Sequence, residues 1–174
     1  SHDRGVGAAC HPPSEHLDSP MSLPPVDGLC GPLSGDAPSG PNLEYDPAFQ
    51  ALERAAQPTP ETEMGDAKRE AEPPQWKEMR KLALELFERT RDLRVGVFLV
   101  QSSLHTDGWE GFGQAMEVLY KLVDTLWDSV HPELDADDDN DPMFRLNTLA
   151  ILKDTDATLN WVRAATLVEL RGVG

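Results

Sequence analysis

Apolar residues recur at intervals of three and four from Phe49 to Val162, in stripes cut apart by prolines and glycines. Such spacing lines one face of a helix, and no stretch shows a convincing β-hairpin. The first stripe carries Phe49, Leu52 and Ala56. Asp46-Pro47 opens it, because aspartate caps a helix and proline suits its first position. Pro58 and Pro60 stop it, and the charged, proline-bounded stretch 59–74 reads as an exposed linker. A second helix is expected over 75–90, with Trp76, Met79, Ala83, Leu86 and Phe87 on one stripe. Asp92 caps a third, running through Leu104. Its sequence LRVGVFLVQSSL is apolar on nearly all sides, and Val95–Val100 alone would also fit a buried strand. Helix is preferred because the segment continues to Leu104 and no partner strand is in sight. Gly108, Gly111 and Gly113 break the pattern around Trp109. A fourth helix then carries Phe112, Met116, Leu119, Val123, Leu126 and Val130 and is expected to end at Pro132. After an acidic loop, Glu133–Asp141, the pair Asp141-Pro142 repeats the opening signal. A fifth helix carries Met143, Leu146, Leu149 and Ala150, and a sixth, beginning near Asp154 or Thr155, carries Leu159, Val162 and Thr166. The expected fold is an all-α bundle of about six helices with short connections.

The first part of the chain is different. Residues 1–41 are rich in proline, glycine and serine without apolar periodicity, so residues 1–37 are read as a disordered tail and 38–174 as the domain. No signal-peptide core interrupts residues 1–20, and the run opening at Met21 reads as a candidate native start. Cys10 and Cys30 have neither metal nor redox spacing, which favours a reducing, cytoplasmic setting. Fifteen basic against 31 acidic residues give a net charge of −16, which repels nucleic-acid phosphates and anionic membrane surfaces. No apolar run approaches the length of about 20 residues that a spanning helix needs.

Catalytic and metal-binding patterns fail on inspection. Asp135, Asp137 and Asp139 match the first, third and fifth positions of a calcium loop, but Asn140 stands where glycine is required and Leu146 where a bidentate glutamate is required. His131 with Glu133 and Asp135 is the alternative metal-regulated or catalytic reading, against which a histidine bonded locally at a helix end is preferred. Ser102, Ser103 and His105 lack a third residue to orient a base. No cofactor is expected. Trp76, Trp127 and Trp161 lie at helical spacing and read as packing residues. Trp109, between glycines, reads either as a lid on the core or as an exposed anchor. The turn Asp107, Gly108, Trp109, Glu110 and Gly111 is the candidate protein-binding site, since an aromatic on an open turn suits a partner's pocket.

Four runs carry a family resemblance: PSGPNLEYDPAF (Pro38–Phe49), RTRDLRV (Arg89–Val95), WDSVHPELDADDDNDP (Trp127–Pro142) and RLNTLAIL (Arg145–Leu152). Together they resemble the ImpA N-terminal domain that opens the TssA proteins of bacterial type VI secretion systems, from Pro38 to Gly174. Within these runs Asp46, Pro47, Asp92, Arg94, Trp127, His131, Pro132, Asp141, Pro142, Arg145 and Asn147 are read as structural residues. Arg145 is expected to pair with Asp128 or an aspartate of the loop. The resemblance implies a non-enzymatic, cytoplasmic assembly protein whose partners are baseplate, tube, sheath or membrane-complex proteins. The resemblance further implies a role in baseplate docking and in tube and sheath polymerisation. It also implies that ring formation belongs to a C-terminal region, so that this part alone is a monomer or weak dimer.

Overall fold

The computed structural model describes residues 23–64, 67–155 and 157–165. Its helices, in chain order, are α1 (Val26–Cys30), α2 (Pro47–Ala56), α3 (Trp76–Phe87), α4 (Leu93–Thr106), α5 (Gly108–Leu126), α6 (Met143–Ala150) and α7 (Thr158–Ala164). The six expected helices are α2–α7; Thr166 lies outside the described residues. Single 3₁₀ turns occupy Ala136–Asp138 and Ile151–Lys153.

Capping residues start α2 and α4 as the sequence dictates. The Asp46 carboxylate accepts from the Ala48 amide at 2.8 Å, with Pro47 in the first turn. The Asp92 carboxylate accepts from the Arg94 amide at 2.8 Å. The all-round apolar character of α4 has its physical counterpart: α3 and α5 flank it closely, and α6 and α7 also touch it. A helix apolar on every side has to be enclosed in this way. Leu93, Val95, Val97, Leu99 and Val100 are fully or almost fully buried. They pack with Phe49 and Leu52 of α2, Met79, Leu86 and Phe87 of α3, and Val118 and Leu122 of α5 in one core.

Four boundaries differ from the sequence reading. Order begins before residue 38. Leu23, Leu29 and Cys30 are buried in the core and α1 lies against α5. The Arg91 guanidinium donates to the carbonyls of Gly31 at 2.7 Å and Gly28 at 3.2 Å. A five-residue helix is too short to show a period, and its anchor, Arg91, sits sixty residues further on. Residues 1–22 of the expected tail lie outside the described residues. Second, the 59–74 linker folds back on itself as a short antiparallel ribbon, Thr62–Met64 (β1) against Ala67–Arg69 (β2), closed by a pairing of Thr59 with Glu72. This leaves the helical architecture unchanged.

Third, the glycines around Trp109 do not separate α4 from α5. Helix α5 starts at Gly108, directly after the joint at Asp107. Gly108 has φ +65°, a left-handed conformation that a side chain would strain, and it reverses the chain in one residue. Fourth, α5 ends at Leu126, before Pro132 acts. The chain then turns and becomes extended. His131 N–H donates to the Arg91 carbonyl at 3.0 Å, and Leu93 N–H donates to that of His131 at 2.8 Å. This short parallel bridge joins the end of α5 to the start of α4. The His131–Pro132 peptide bond is cis.

Candidate functional site

The segment expected to bind a partner is held from within. Asp107 Oδ2 accepts from Arg80 Nε at 2.7 Å and from Thr106 Oγ1 at 2.8 Å, and both members of the ion pair are largely buried. Its Cβ lies over Gly111, where an added Cβ would come within 2.3 Å. Trp109 is half-buried, edge-on to Phe112 with centroids 5.7 Å apart, and its Nε1 donates to the Ala165 carbonyl at 3.4 Å. Its polar edge thus faces the end of α7. Glu110 is exposed beside it.

The motif residues tie the helix ends together. Arg94 Nη2 donates to Asp92 Oδ2 at 2.7 Å and Nη1 to Glu44 Oε2 at 3.0 Å, while the guanidinium lies 4.7 Å from the centre of the Phe49 ring. Burial works against its charge, but the bonds to fully buried Asp92 and to Glu44 outweigh burial and raise its pKa. Arg89 grips the Asp46 carboxylate with both arms, at 2.7 and 3.3 Å, and the bond holds that carboxyl below its usual range.

Arg145 corrects the expectation of a carboxylate partner. It is 1% exposed, and it donates from Nε to the Pro132 carbonyl at 2.7 Å, from Nη2 to that of Val130 at 2.6 Å and from Nη1 to that of Trp127. Its guanidinium stacks 4.7 Å from the centre of the Trp127 ring. Carbonyls beyond the end of α5 lack helical partners and carry partial negative charge, so a buried cation is satisfied there without a carboxylate. Burial lowers the Arg145 pKa; the charges of Asp128 and Glu133 partly offset this without hydrogen bonds. Arg91 does the same at the end of α3, donating to the Phe87 carbonyl.

The acidic loop is a structured turn. Asp135 Oδ1 accepts from the Asp137 amide at 3.0 Å, Asp139 and Asn140 take left-handed conformations, and Asp141 Oδ1 accepts from the Met143 amide at 2.9 Å to open α6 beside Pro142. Among the described residues no three or more His, Cys, Asp or Glu side chains are grouped to hold a metal. His131 is buried, and its Nε2 donates to the Gly40 carbonyl at 3.0 Å. Ser102 and Ser103 are buried in α4, and His105 stacks on Trp76 at 3.9 Å, with Trp161 edge-on to both.

Sequence reading missed the exposed face of α6. Met143 and Leu146 belong to the apolar set expected on this helix, yet Met143 is 52%, Leu146 49% and Phe144 64% exposed. The inward stripe is instead Arg145, Thr148, Leu149 and, one turn on, Leu152. Two polar residues head that stripe, which hides it from an apolar count. Phe144, Asn147 and Ile151 line a groove of about 340 Å³ against Val97 and Phe98 of α4, with Arg94 and Glu53 at its rim. A phenylalanine exposed next to an acidic loop was the available signal.

Three comparisons bear on this arrangement. A family profile described as ImpA, N-terminal, type VI secretion system matches residues 30–154. The chain is 48% identical over 149 residues to the type VI secretion system component TssA1 of Pseudomonas aeruginosa, covering 86% of this chain and 43% of that protein. Its fold is similar to the N-terminal domain, including the conserved ImpA_N region, of the TssA component from Burkholderia cenocepacia. The TM-score is 0.61 at 25% identity, over 88% of this chain and 61% of that one.

Proposed function

Since this chain belongs to the ImpA N-terminal, type VI secretion system family, we propose that it is a non-enzymatic docking module for assembly of such a system in the bacterial cytoplasm. The partners are baseplate, tube, sheath or membrane-complex proteins, and the role is to help the baseplate dock and the tube and sheath polymerise. The observation that carries this reading is the exposed apolar side of the groove against α4, Phe144 of α6 and Ile151 just after it, with the acidic loop preceding them in the chain. Large exposed apolar side chains rimmed by charge mark interaction surfaces. The occupant that fits is an apolar segment with basic flanks from a secretion-system protein, which matches the groove along α4 and the charge beside it. The match covers 43% of the Pseudomonas relative, and no ring formation is assigned to this chain.

The test is direct binding of the purified chain to each purified secretion component. Phe144→Asp and Ile151→Asp should each weaken capture by about tenfold or more, the effect of losing an interface anchor, with the melting temperature unchanged. Trp109→Ala is the contrasting variant, because it removes the aromatic of the Asp107–Gly111 segment. It should lower the melting temperature and leave capture intact. Loss of capture by Trp109→Ala at full stability, with Phe144→Asp behaving as wild type, would move the docking surface to the start of α5.

A further inference from the structure

A second concavity, of about 360 Å³, opens between the Asp36–Gly40 segment and the chain leaving α5. Asp36, Asp128 and Glu133 bring three carboxylates to its lining, and the polar side chains of Ser129 and Asn140 complete it. At its base lies His131, only 4% exposed. Because Nε2 donates to the Gly40 carbonyl, the ring presents Nδ1 as an acceptor, and Nδ1 is buried without a hydrogen-bond partner. Glu133 Oε1 lies 4.0 Å from it. Two acceptors therefore face each other beyond hydrogen-bond distance, no donor among the described residues pairs with Nδ1, and a buried acceptor left unpaired costs free energy. Arg145 does not supply that donor, since its hydrogen bonds run to the Trp127, Val130 and Pro132 carbonyls. Ser39 and Ser129 are engaged with each other at 2.8 Å.

The lining asks for a ligand rich in donors and free of acceptors, with positive charge. We propose that this cavity binds the guanidinium of an arginine presented by a protein partner, held by Glu133, Asp128 and Asp36 and capped by His131 Nδ1. A guanidinium carries five N–H donors in a planar fork, which serves several separated acceptors at once; an ammonium is a compact point charge. The Glu133 side chain is 77% exposed, free to swing and open the path to Nδ1. The acidic loop runs from this cavity to α6, so an arginine seated here would belong to the basic flank of the segment on the α6 face. The inference deepens the docking function and rests on it.

The probe is N-acetyl-arginine amide, titrated into the isotope-labelled chain and followed by amide and imidazole nitrogen shifts. N-acetyl-lysine amide and the uncharged isostere N-acetyl-citrulline amide serve as comparisons. Saturable shifts are expected at Gly40, Asp128, His131 and Glu133, with a change in the Nδ1 resonance. Glu133→Gln and Asp128→Asn, both at exposed positions that leave the fold intact, should each weaken binding about fivefold to tenfold, as expected for loss of a charged hydrogen bond. Equal shifts with citrulline, binding by lysine as tight as by arginine, or undiminished binding in both variants would each overturn the proposal. So would tight zinc binding at His131 without any response to arginine. Shifts with arginine in a chain that captures no secretion component would keep the cavity and remove the docking function. Capture unaffected by Glu133→Gln, with no arginine shifts, would do the reverse.

Discussion

Two buried arginines organise the helix ends, and both do so through backbone carbonyls. Arg145 serves three carbonyls 13, 15 and 18 residues away, and Arg91 joins the end of α3 to the end of α1. Removing such a side chain strands several buried acceptors at once. Arg145→Ala is expected to lower the unfolding free energy by about 2–4 kcal/mol, as for loss of a buried charged hydrogen-bond network. Asp128→Asn, at an exposed carboxylate, should change it by less than about 0.5 kcal/mol. Urea denaturation distinguishes the two, and equal effects would restore a carboxylate partner for Arg145. His105 gives a second residue-scale prediction. Its ring stacks on Trp76, and burial lowers its pKa below the ordinary value of 6.5. The folded state thus prefers the neutral ring, and the unfolded chain takes up the proton first as pH falls. Its contribution is complete above pH 6.5 and is lost as pH drops below that value. Because the ring keeps an exposed edge, the loss is small. It is read as the difference in melting temperature between wild type and His105→Phe from about pH 8 to 5. Wild type should lose melting temperature relative to His105→Phe as pH falls, and a gain relative to that variant on the acid side would reverse the sign.

At the scale of elements, the stripes that predicted helices succeeded where an apolar period was long. Helices α2, α3 and α4 lie where Asp46-Pro47, the Trp76 stripe and Asp92 place them. The failures share a cause. Helix α1 has five residues, of which Leu29 and Cys30 are buried, too few for a period, and it is fixed by Arg91, Lys121 and α5. A chain beginning at residue 36 is therefore expected to be less stable by about 2–5 kcal/mol, comparable to truncating a buried leucine, measured by denaturant unfolding. Unchanged stability would mean that α1 is only draped on the surface. The start of α5 was hidden because three glycines in six residues read as a break, whereas Gly108 supplies a reversal and Gly111 the space for Asp107.

For the whole molecule, charge sets behaviour that packing does not. With a net charge of −16, copies of this chain repel one another, so a monomer or weak dimer is expected in sizing with light scattering. Capture of a basic partner should weaken steadily as salt rises above about 0.1 M, where screening reaches the Debye length of about 10 Å. A large ring formed by this chain alone, or salt-independent capture, would show that apolar contact dominates. By itself the sequence determined the helical class, the capping of α2 and α4 and the enclosure of α4. These follow from local chemistry: an aspartate two residues before an amide, or an apolar residue every third or fourth position. Only the tertiary structure decided which side of α6 faces inward, that Trp109 turns towards α7, and that residues 23–37 join the core. The reason is one of range. Each is settled by a group far away in the chain, the Arg145 guanidinium reaching carbonyls beyond α5 or Arg91 reaching α1. A period records what neighbours in sequence share and carries no information about distant partners.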